Sequence, residues 1–199
     1  RQVLAELAPA GVVQDAKFDW TGELTGTPSF SAKARFTGLG IHPWRRLPGF
    51  AGLSGSLEAT DQKGALRLAS QKAEVDLPRI FPEPRIALEA LSGQVDWERH
   101  GEQGVAVRIA NLAFANQHAA GTAFGSYAFT GEGPGTIDLS ANLSRAEGRF
   151  TAKYLPLSTI MGERTREWLA SAVQEGQSSD VRLRLKGDLR DFPFTGGQK

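Results

Sequence analysis

From Leu53 onward the chain echoes itself, and that echo limits its fold more than any other feature. Leu53-Ser-Gly-Ser-Leu-Glu-Ala59 followed by Gly64-Ala-Leu-Arg-Leu68 returns, with Leu91 in the place of Leu53, as Leu91-Ser-Gly-Gln-Val-Asp-Trp97 followed by Gly104-Val-Ala-Val-Arg-Ile109. A fainter third copy runs from Phe124-Gly-Ser-Tyr-Ala-Phe129 to Gly135-Thr-Ile-Asp-Leu139. Each copy is a strand, a polar turn and a returning strand, so the unit is a β-hairpin. One hairpin cannot bury its apolar face alone, and stacking neighbours extends a shared face. The expected fold is therefore mainly β: a long curved antiparallel sheet of stacked hairpins.

The segments outside the repeats agree. Val12 to Trp20 places Ala16, Phe18 and Trp20 on one face against Asp15, Lys17 and Asp19. Ser29 to Thr37 places Phe30, Ala32, Ala34 and Phe36 against Ser31, Lys33 and Arg35, and 180–189 alternates Val181, Leu183 and Leu185 with Arg182, Arg184 and Lys186. Such period-two alternation is that of antiparallel strands with one solvated face. Gly38 to Phe50 reads as the longest irregular loop. Its Trp44, Arg45 and Arg46 are a solvated loop, with contact to a membrane interface as the second reading. Residues 1–10 form a short helical connector, closed by Pro9 and Gly11.

The chain's one convincing helix is expected over 158–176. Ile160, Met161, Trp168, Leu169, Ala172 and Val173 recur at helical spacing, and Gly176 ends it. Such a helix should cover or cap the sheet's apolar face. Packing is its first reading; the second is a gate made by Ile160, Trp168, Leu169 and Val173.

The inward candidates are Leu57, Leu66, Leu68, Val95, Trp97, Val107, Ile109, Leu112, Phe114, Ile137, Leu139 and Leu143, with Phe150 beyond them. A long sheet with one apolar face either closes on itself or stays open as a trough that meets an apolar ligand. The 23 glycines, several inside strands, favour strong curling; the pattern alone leaves both solutions open.

Composition removes other function classes. Lysine and arginine number 23 against 22 acids, a net charge of +1, so no field favours nucleic acid. Cysteine is absent, which removes disulfides, thiolate metal sites and cysteine nucleophiles. His42, His100 and His118 have no partners at metal-ligand spacing. Gly52-Leu-Ser-Gly-Ser56 has Ser56 where a nucleophile elbow needs glycine, and Gly131-Glu-Gly-Pro-Gly135 lacks the helix and lysine of a phosphate loop. No catalytic residue, metal or cofactor is expected.

A further set of signatures occurs in order along the chain: Pro48-Gly49-Phe50 with Gly52-Leu-Ser-Gly55, Ser70 to Leu77 running into Leu77-Pro-Arg-Ile-Phe81, and Leu91-Ser-Gly-Gln-Val-Asp-Trp97. Tyr154-Leu-Pro156, Trp168-Leu169 with Gly176, and Gly187-Asp-Leu-Arg-Asp-Phe-Pro-Phe194 complete it. This ordered set resembles the periplasmic region of the YhdP family, large AsmA-like proteins of Gram-negative bacteria. The resemblance implies a single β-groove segment over 1–199, internal to a longer protein anchored in the inner membrane by a part not seen here. It implies phospholipid acyl chains as cargo, shielded in the groove between inner and outer membrane in support of the outer-membrane barrier. Partners would be neighbouring segments of the same chain, and membranes reached through regions outside this one. The family offers no catalytic residues to carry over. The alternative is a closed β-sandwich or barrel serving as a structural or interaction module of the cell envelope.

Overall fold

A computed structural model describes residues 6–22, 29–44, 47–101, 103–173 and 175–192. Eight long strands follow one another: β1 (Ala10–Thr21), β2 (Ser29–Ile41), β3 (Gly49–Thr60), β4 (Lys63–Asp76), β5 (Arg85–His100), β6 (Gly104–Ala115), β7 (Ala119–Phe129) and β8 (Thr136–Glu147). A 3-10 turn (Gly148–Tyr154) leads to helices α1 (Ser158–Met161) and α2 (Glu163–Ala172), then to β9 (Gln177–Ser178) and β10 (Val181–Asp188).

The sheet is a meander in which every strand pairs antiparallel with its sequence neighbour from β1 to β8, and β8 then pairs with both β9 and β10. β1 and β10 stand at opposite edges, so the sheet is open and the closed-barrel alternative is not the fold adopted. The repeats correspond to the β3–β4, β5–β6 and β7–β8 hairpins. β2 runs on to Ile41, so the expected loop shortens to 42–48, pinned by a bridge between Trp44 and Leu47. Trp44 Nε1 donates to Glu6 Oε2 at 2.6 Å, tying that loop to the helical residues Glu6 and Leu7. Arg45 and Arg46, and the connector up to residue 5, lie outside the described residues.

Buried Phe36, Leu53, Ala73, Leu88 and Leu91 form one apolar cluster in β2–β5 toward the ends that carry the 42–48 and 77–84 turns. Strict alternation would place Leu88 and Leu91 on opposite faces. Beside them β4 takes a left-handed step at Lys72 (φ 56) next to Gly52 (φ 72) in β3, and such irregular steps re-aim side chains.

The helical region departs from the expected single helix. Gly162 (φ 81, ψ 139) breaks it after one turn, and α2 ends at Ala172 rather than at Gly176. Among the described residues the helices pack on each other, and α2 packs on the 3-10 turn. The 3-10 turn and the residues just after it close one end of the sheet. Leu155 is buried there, and Leu157 N donates to Ile80 O at 2.8 Å. Phe150, expected on the apolar face, instead stacks on His118 with centroids 3.7 Å apart.

Tyr154 Oη completes this closure. It accepts from Asn116 Nδ2 at 2.9 Å and lies 2.8 Å from His118 Nδ1. Asn116 is 6% exposed, and its Oδ1 accepts from the backbone N–H groups of His118 and Ala119, shaping the β6–β7 turn. Removing the hydroxyl strands a buried amide donor, at a cost of about 1–3 kcal/mol. Tyr154→Phe is therefore expected to speed amide hydrogen exchange at 148–160 by about ten- to a hundred-fold, with β3–β5 unchanged. Equal acceleration in β3–β5 would show that the turn is not a separate closure.

Candidate functional site

Residues directly opposite in antiparallel strands share a face, so the register shows which side chains line each side. One row reads Ala34, Leu57, Leu66, Val95, Ile109, Gly125, Leu139 and Leu185 across β2–β8 and β10. The next reads Phe36, Gly55, Leu68, Gly93, Leu112, Ala123, Ala141 and Leu183. A third joins Ser70, Leu91, Phe114, Gly121, Leu143 and Val181, and a fourth, on the other flank, Ala59, Gly64, Trp97, Val107, Tyr127, Ile137 and Gly187. No charged residue stands in any of the four rows.

All twelve sequence candidates fall in these rows, and all twelve are half-buried. Ile109 and Leu112 are an odd number of residues apart and share the face only because β6 carries a bulge between them, seen against both β5 and β7. Half-burial of all twelve is what an uncovered face produces, with Phe36 and Leu91 of the same rows buried in the cluster of β2–β5; a second layer would drive the twelve to full burial as well. At the edges the exposure is larger: Leu183 in β10 is 53% exposed and Phe18 in β1 is 63%. Of the gate candidates, Ile160 and Leu169 are half-buried, while Trp168 (65%) and Val173 (40%) are exposed.

The opposite face is polar. Lys33 meets Glu58 at 3.3 Å, and Arg67 reaches Gln94, which in turn reaches Asp96. Lys186 sits 3.0 Å and Arg184 3.3 Å from Asp138, and the Lys186 contact, followed by Arg184, holds the Asp138 carboxyl below the usual carboxylate range. A depressed folded-state value stabilises above the unfolded value and is lost as pH falls through the folded one; at so exposed a pair the effect is screened and small.

The sequence reading noted glycines inside strands without assigning any of them to the face. Gly55 and Gly93, repeat equivalents, sit where a Cβ would collide with the carbonyl oxygens of Arg67 and Asn111. Neighbouring backbones approach each other closely there. Gly121 does the same between Phe114 and Leu143, and these three, with Asn142, Ser144 and Arg182, line an open concavity of about 500 Å³. The shared Leu-Ser-Gly motif was the signal for Gly55 and Gly93. In the third copy Phe124 aligns by sequence with Leu91, yet its strand neighbour Gly125 occupies the face, and Phe124 is 50% exposed on the other side.

Among the described residues, no three His, Cys, Asp or Glu side chains are placed to hold a metal ion, and no helix is long and apolar enough to cross a membrane.

A family model described as YhdP protein matches residues 1–199. Among curated proteins, the chain is 22% identical over 188 residues to the intermembrane phospholipid transporter YhdP of Escherichia coli (strain K12), a match covering 94% of this chain and 14% of that protein. The chain thus spans well under two thirds of that relative's length. No solved structure matches it.

Proposed function

The chain belongs to the YhdP family, and from that premise we propose that its uncovered face is a trough that shields phospholipid acyl chains during passage between inner and outer membrane. The observation that carries the reading is the set of four charge-free rows across an open sheet, in which the twelve lining residues are all left half-exposed. An acyl chain in water costs about 0.8 kcal/mol per CH2. Leucine, valine, isoleucine and phenylalanine side chains replace bilayer contacts, while the headgroup remains in water at the open side. The requirement on the wall is continuity: one unpaired charge among the rows would be a barrier.

The residues assigned to this lining are Leu57, Leu66, Leu68, Val95, Trp97, Val107, Ile109, Leu112, Phe114, Ile137, Leu139 and Leu143. Conduction of this kind needs many weak, similar sites and no catalytic group, so we read the protein as a non-enzyme. Residues 1–199 then act as one groove segment in the periplasm, continued by neighbouring segments and held at the inner membrane through regions outside this one.

Site-specific photocrosslinking tests the reading. A benzophenone amino acid at Ile109 in the intact protein in cells is expected to yield phospholipid adducts at least tenfold above the same probe at Arg108, which faces the other side. Adducts at neither position would overturn the trough in favour of a structural module.

A further inference from the structure

The apolar face is not uniform along its strands. Every tryptophan and tyrosine borne by a strand, namely Trp20, Trp97 and Tyr127, lies toward one end of the face, beside the turns that follow β1, β5 and β7. Register places Trp97 and Tyr127 in one row with Phe18 and puts Trp20 opposite Phe30 one row further out, where Phe129 also lies. Phe18 stands 6.1 Å from Trp20 and 6.2 Å from Phe30, a continuous aromatic patch. The next row inward, from Ala34 to Leu185, contains no aromatic residue at all.

The polar tips of Trp20 and Tyr127 are aimed at the rim. Trp20 Nε1 donates to Gly22 O at 3.2 Å, and Tyr127 Oη donates to Pro134 O at 3.0 Å, both carbonyls of the bordering turns. The Trp97 ring lies over Gly64, filling the space that a side chain there would take. Rings with an apolar body and a wet tip are the residues that collect where hydrocarbon meets headgroups. The other end is built oppositely: it holds the buried Leu88 and Leu91 and is closed by the 3-10 turn and Leu155.

We propose, resting on the trough reading above, that the aromatic rim around Trp20, Trp97 and Tyr127 is the headgroup and glycerol edge of the trough. Bound lipids then lie with their acyl chains along the strands, methyl ends toward Leu91 and Phe114. Dimensions agree with this orientation. Trp97 and Leu91 are six residues apart, about 20 Å of strand, against about 15 Å for one leaflet's share of a bilayer's hydrocarbon.

Two conservative probes test the orientation. The intact protein carrying p-benzoylphenylalanine at Tyr127, or separately at Phe114, is irradiated with vesicles of dioleoyl phosphatidylethanolamine and phosphatidylglycerol, and adducts are mapped by tandem mass spectrometry. Insertion into the headgroup, glycerol or first acyl carbons is expected to be at least fivefold more frequent from Tyr127, and insertion into the distal half of the chains at least fivefold more frequent from Phe114. Matching distributions at the two positions, a reversed order, or adducts from Phe114 alone would overturn the orientation while leaving the trough standing. Adducts from neither position would overturn the trough, and the orientation with it.

Discussion

Leu68→Asp and Ile109→Asp are each expected to lower phospholipid transfer by the intact protein about 100-fold, measured as movement of a fluorescent phospholipid between donor and acceptor vesicles. A carboxylate amid hydrocarbon costs about 3 kcal/mol, and each 1.4 kcal/mol is a factor of ten in occupancy. Arg67→Ser, adjacent to Leu68 but on the polar face, should leave transfer unchanged. The two aspartates separate conduction from folding. Leu68 packs against the buried cluster of Phe36, Leu53, Ala73, Leu88 and Leu91, whereas Ile109 stands outside it. Thermal denaturation should therefore show Leu68→Asp as the more destabilised protein even though both lose transfer. Equal tolerance of all three substitutions would sink the trough.

The second large effect is on stability. Gly93→Ala is expected to lower the melting temperature by about 6–12 °C. Gly93 has φ 150, and a Cβ there meets the Asn111 carbonyl and the Leu112 backbone. Backbone strain of about 1–3 kcal/mol and overpacking of similar size give about 3 kcal/mol, and each kcal/mol shifts the melting point of a chain this size by about 2–4 °C. Gly101→Ala isolates the conformational part, because Gly101 also has positive φ (66) but nothing lies within 4 Å of the added Cβ. Its expected shift is about 2–4 °C. If the two substitutions proved equally mild, the close approach of β5 and β6 would not be what requires glycine at 93.

Much of this face was legible in the sequence because period two is enforced wherever one side of a strand is wet. Leu57, Leu66, Val95 and Ile109 needed only that rule, and register then aligned them. What the rule hid is what depends on broken phase. Leu88 is buried with Leu91 although an odd step separates them, and Phe124 is exposed although the repeat aligned it with Leu91. The openness of the sheet was equally hidden, since an alternating pattern is the same whether an apolar face closes on itself or meets a ligand. The helix shows the same limit. Its apolar spacing is real, but spacing does not name a partner: Trp168 is 65% exposed, and the glycine at 162 that splits the helix carries no long-range signal. The aromatic rim was present in the sequence as separate residues; only register put Trp97 and Tyr127 into one row.

The meander has one more consequence. Because each strand from β2 to β7 bonds only to the strands before and after it in sequence, a hairpin can be duplicated or deleted without rewiring any other pairing. Each such event lengthens or shortens the sheet by two strand spacings, about 10 Å, and leaves the cross-section and its polarity as they were. Such a fold changes its length in whole-hairpin increments, by tandem duplication alone.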